Sequence, residues 1–64
     1  MSKLNTSPNI DDPDGFYADL MEAHRGLNNH ESTALNARLV LLLANHIGDR
    51  IILKQALAEA AGVG

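Results

Sequence analysis

Cysteine is absent from the chain. That excludes disulfides, and it excludes thiolate metal sites as well. Aromatic residues are scarce: Phe16 and Tyr17 stand alone, and there is no tryptophan. A surface that stacks nucleobases needs more rings than that. Positive charge is also in short supply, with five Lys and Arg against eight Asp and Glu and a net charge of −3. Gripping a phosphate backbone takes a basic patch, so nucleic acid is not the expected partner.

No long hydrophobic run occurs. The stretch Leu39 to Ala44 is flanked by Arg38 on one side and by Asn45 and His46 on the other. It falls far short of the roughly 20 apolar residues that span a bilayer. No apolar segment follows Lys3 in the manner of a secretory leader. A cytoplasmic protein without membrane contact is the expectation, in keeping with the lack of cysteine.

What is present is a helical pattern. Residues 1–11 are rich in Ser, Thr, Asn and Pro, lack an apolar period and read as a flexible tail. Residues 12–64 read as a single helical domain. Asp12-Pro13-Asp14 is a helix start, with Asp12 as N-cap, Pro13 in the first helical position and Asp14 at the positive end of the dipole. Phe16, Leu20, Ala23 and Leu27 then recur at helical spacing. Gly26 suits a left-handed helix end.

A second helix is expected from Asn28 or Asn29, where Asn28 and Glu31 form a capping-box pattern, to a stop at Gly48. It contains the densest apolar stretch of the chain, Ala34 to Ile47. Leu35, Leu39, Leu42 and Leu43 share one face, Val40 and Ile47 extend it, and Glu31, Arg38 and Asn45 form a narrow polar strip. A helix apolar around most of its circumference is normally covered on more than one side. Asp49 is placed to cap a third helix, with Ile52, Leu53, Ala56, Leu57 and Ala60 on its apolar face and Arg50, Lys54, Gln55 and Glu59 pointing away. The expected fold is therefore all-α: a three-helix arrangement with a long central apolar helix and a flexible N-terminal tail. Connections of two to three residues favour antiparallel neighbours or sharp corners.

Candidate chemistry is thin. Asp11, Asp12, Asp14 and Gly15 have the composition of a calcium loop, but the register puts Ile10 and Met21 at ligand positions. The helix-capping role takes precedence. His24, His30 and His46 include no pair at the i, i+4 spacing of a helical metal site, so no metal and no cofactor are expected. His46 falls in the apolar sector, in the last helical turn, and is expected as a buried imidazole bonded to a carbonyl or to Tyr17. Asn36 also falls in the apolar arc and needs a partner. It either sets register against a neighbouring helix or bonds to the end of another helix of the chain. Ser32 and Thr33 stand at a helix start, where capping is their usual work. No nucleophile or phosphate loop is evident, so the chain is not expected to be an enzyme.

The segments Asp12-Pro13-Asp14-Gly15-Phe16-Tyr17, Ala23-His24-Arg25-Gly26-Leu27 and Leu35-Asn36-Ala37-Arg38-Leu39-Val40-Leu41-Leu42-Leu43-Ala44-Asn45-His46-Ile47-Gly48-Asp49 resemble a small bacterial family, domain of unknown function 2783. The resemblance covers roughly residues 11 to 61, and the second-helix motif is its specific part. It brings no catalytic residues and no cofactor. It implies an accessory role, since members of the family often accompany flavin-dependent aromatic hydroxylases and related catabolic oxidoreductases.

The function expected is a non-enzymatic helical protein-interaction module. Its partner would be a second copy or a larger oxidoreductase subunit. Val40, Leu41, Ala44 and Ile47 are the expected apolar contact, with Arg38 and Asn45 as polar rim. The alternative is a small-ligand or metal-binding protein in which His24, His46, Tyr17 and Asn36 converge between the first two helices.

Overall fold

The computed structural model of the protein describes residues 3–62. It contains three helices: α1 (Pro13–His24), α2 (Asn29–Ile47) and α3 (Arg50–Ala60). No strand occurs among the described residues, and the fold is all-α. Residues 1, 2, 63 and 64, the outer ends of the expected tail and of the expected domain, lie outside the described residues.

Local chemistry sets the helix boundaries. The Asp12 carboxylate accepts from the Gly15 N–H at 3.1 Å, and Pro13 takes the first turn. Asp12 itself is left-handed, with φ 52°. Asp enters that region more readily than most residues because its short side chain bonds locally. A Cβ on residue 15 would run into this carboxylate, so the cap requires glycine there. At the start of α2 the capping box is complete. Asn28 Oδ1 accepts from the Glu31 N–H at 2.9 Å, and the Glu31 carboxylate accepts from the Asn28 N–H at 3.0 Å. Asn28 thus does the capping. Ser32 and Thr33 do not, and Thr33 Oγ1 instead donates back to the Asn29 carbonyl at 2.9 Å.

Gly48 ends α2 with φ 74°, its N–H bonded to the Ala44 carbonyl. Asp49 Oδ1 then accepts from the Ile51 and Ile52 N–H groups and starts α3. With only residues 48–49 between the helices, α3 folds back along α2. The link between α1 and α2, residues 25–28, is longer than the expected two to three.

Packing is where the chain departs from an ordinary small domain. Among the described residues no side chain is buried. Leu20 of α1, Ala34, Leu35, Leu39 and Ala44 of α2, and Ile52, Leu53, Ala56 and Ala58 of α3 are half-covered. The radius of gyration is 13.5 Å, against about 11 Å for a compact chain of this length. The accessible surface is 5714 Å², whereas a compact monomer of this mass exposes about 4,000 Å².

Three expectations need correction. Leu42 does not join Leu35 and Leu39 on a covered face: it is 68% exposed, since no helix among the described residues lies over it. Gln55 does not point away from the rest of the chain. It is half-covered, and its Oε1 accepts from the Leu4 N–H at 2.7 Å, so the segment before α1 is tied to α3 at that point. Leu57, expected on the apolar face of α3 with Ile52, Leu53 and Ala56, is not covered with them and is 70% exposed.

The Gly48 turn gives a direct test. Gly48→Ala leaves room for the added methyl, whose nearest neighbour is the Asn45 carbonyl at 3.7 Å. Its cost is therefore the backbone term alone, about 1 kcal/mol. A fall in the melting midpoint of roughly 4–8 °C is expected in thermal unfolding followed by circular dichroism. An unchanged midpoint would show that the turn relaxes out of the left-handed region.

Candidate functional site

Along α2, Val40, Leu43, Ala44 and Ile47 follow the spacing i, i+3, i+4, i+7, and along α3 Leu53, Ala56, Leu57 and Ala60 repeat it. Each set is a single helical stripe. Because the link between the helices is short, the two stripes face a common space. They line an open groove of about 430 Å³. None of the eight lining side chains carries a charge or a hydrogen-bonding group. Val40 is 62% exposed and Leu57 70%, and half of Leu43 and of Ile47 meets solvent. Burial of such surface is favourable, and nothing among the described residues covers it.

Val40, Ala44 and Ile47, three of the residues expected at a contact, therefore stand in this groove. Leu41 does not. It lies about 100° further round the helix than Val40 and is 70% exposed outside the groove. Arg38 and Asn45 are exposed on the strip between Leu41 and Leu42, on the far side of α2 from the groove. Leu43 and the whole α3 stripe, none of them among the expected contact residues, line the same groove. The signal was available: the same four-residue spacing occurs twice, on either side of Gly48-Asp49.

A second cluster joins α1 to α2. His24 Nδ1 lies 2.9 Å from Ser32 Oγ, and His24 Nε2 lies 3.1 Å from Asn36 Oδ1. The amide oxygen only accepts, so Nε2 carries a proton and donates to it. Asn36 thus finds its partner at the end of another helix of the same chain, and it is exposed rather than set in an apolar arc. A Ser–His–Asn arrangement resembles a nucleophile, its base and an orienting group. Here, however, Ser32 lies within a helix and its N–H is bonded to the Asn28 carbonyl at 2.9 Å, so that group is not free to hold an oxyanion. The cluster is an interhelical pin.

The other two members of the expected ligand site do not join it. Tyr17 is 63% exposed. His46 is exposed and not the buried imidazole expected, because neither α1 nor α3 covers that side of the last turn of α2. It stands about 15 Å along the helix from Asn36. Among the described residues no group of three or more His, Cys, Asp or Glu is placed to hold a metal ion. A further hollow, bounded by residues 5–10 and Pro13, is formed by the segment before α1 curling on itself and has no charged lining. Among the described residues no helix is long and apolar enough to cross a membrane.

The sequence model of the family described as "Protein of unknown function (DUF2783)" matches residues 4–62. The chain belongs to this family. All eight groove residues and the His24–Ser32–Asn36 pin of this DUF2783 chain fall within the matched span. So does most of the segment before Pro13, which the resemblance in sequence had left out, including Leu4 with its bond to Gln55. No curated protein and no solved structure matches the chain.

The pin makes a local prediction. His24→Ala removes both interhelical bonds, together about 1 kcal/mol. Amides of α1 are then expected to exchange roughly fivefold faster, with those of α2 and α3 unchanged, in hydrogen-exchange measurements. Equal acceleration in all three helices would mean that they open as one unit.

Proposed function

We propose that the protein is a non-enzymatic helical interaction module whose α2–α3 groove is completed by a protein partner. The observation that carries this reading is the continuous apolar groove in a chain with no buried side chain among its described residues. Surface of this kind marks an interaction site.

The magnitudes bear on what the partner brings. Val40, Leu43, Ile47 and Leu57 are each about half exposed or more, and covering them contributes roughly 1–2 kcal/mol apiece. Association costs at least about 4 kcal/mol in lost freedom. One such set alone is near balance, so the partner must contribute apolar surface of its own. A second copy meets that condition. So does an apolar helix on a larger subunit, and a role as small accessory subunit of a flavin-dependent catabolic hydroxylase is one setting for it. The ligand-binding alternative draws less support, since only His24 and Asn36 of its four residues meet.

Aspartate substitutions separate groove from surface. Val40→Asp is expected to abolish recovery of any companion when the intact complex is captured from the native cell at endogenous level and weighed. Leu41→Asp, outside the groove, is expected to weaken recovery much less. A lone chain in that measurement, or a companion retained by Val40→Asp, would reject the groove as the site.

A further inference from the structure

Resting on the reading of the groove as a protein contact, we propose that its occupant is a second copy of this chain, two α2–α3 pairs closing around a two-fold axis into a four-helix core. Three observations single out this partner. The first is area. The chain exposes 5714 Å², about 1,700 Å² more than a compact monomer of its mass. Part of that excess belongs to the segment before Pro13. The rest is of the order that each protomer of an obligate homodimer covers, about 1,000 Å² and upward.

The second is charge. A two-fold axis sets a patch against its own copy, so any charge on the patch meets its like. The eight lining residues, Val40, Leu43, Ala44 and Ile47 with Leu53, Ala56, Leu57 and Ala60, carry none. An anionic membrane surface is disfavoured by the same inventory, because the net charge is −3 and no basic residue lines the groove.

The third is shape. Both helices present the same i, i+3, i+4, i+7 stripe; in α3 leucine alternates with alanine, and in α2 one alanine, Ala44, stands among three larger side chains. The large residues of one copy can seat over Ala44, Ala56 and Ala60 of the other, which is how helices of a four-helix bundle approach one another. Oligomerisation also supplies what a chain of this size without disulfides otherwise lacks.

Sedimentation equilibrium of the full chain tests the proposal. A species of about 14 kDa, two copies of the 6.9 kDa chain, is expected. Val40→Asp and Leu57→Asp are each expected to shift it to the single-chain mass. Since a separated protomer can also lose its helices, thermal unfolding of the unaltered chain is followed in parallel, and its midpoint is expected to rise with chain concentration. A dimer indifferent to both substitutions, or a midpoint independent of concentration, overturns the proposal. So does a monomer; if that monomer is recovered from cells with a heavier companion that Val40→Asp removes, the second copy is wrong and the interaction reading stands. A monomer with no companion ends both.

Discussion

Apolar surface that cannot be covered from within is the constraint on which this protein depends. Folding is driven chiefly by removing such surface from water, and a short chain has little interior in which to hide it. Here α1, α2 and α3 enclose no core among the described residues. The two stripes that α2 and α3 turn toward each other leave a groove between them rather than a closed seam. The proposed function rests on that unfilled space: a partner covering it would act, in effect, as the missing layer of the domain.

Helix formation and core formation are separated in this chain to an unusual degree. Asp12, the Asn28–Glu31 pair, Gly48 and Asp49 fix where helices begin and end through hydrogen bonds within a few residues. Such caps define boundaries but do not sustain short helices. With 12 residues in α1 and 11 in α3, both are at or below the length at which an isolated helix is even marginal in water. Their persistence has to come from packing, and the packing available within one chain is partial. A partner on the groove would therefore order the helices as well as bind them.

Polar contacts do the work between α1 and α2 that apolar packing does elsewhere. His24 spans Ser32 and Asn36, and the acceptor oxygen of Asn36 fixes the proton on Nε2. Directional bonds hold one orientation but remove little surface from water. That is why Phe16, Tyr17 and Met21 stay exposed on α1 even though the helix is anchored. The anchored helix flanks the N-terminal half of α2 and leaves the groove beside its C-terminal half open.

Much of the fold is legible in residue order, because the interactions responsible are local. The caps at Asp12, Asn28 and Asp49, the glycine stop at Gly48 and the absence of alternating strand patterns all act over four residues or fewer, and each helix is found where they put it. The excess of apolar residues in α2 is likewise a property of composition. Which of those residues meet solvent is not. Val40, Ala44 and Ile47 fall in the groove while Leu41 does not, and His46 and Leu42 are left uncovered, because the direction in which α3 folds back selects one side of α2. That direction depends on the three-dimensional course of the Gly48-Asp49 turn and on the mutual fit of two stripes 13 residues apart. Helical spacing specifies each stripe separately; only the tertiary structure decides that they face the same space, since burial is set by what lies opposite a side chain and not by its neighbours in sequence.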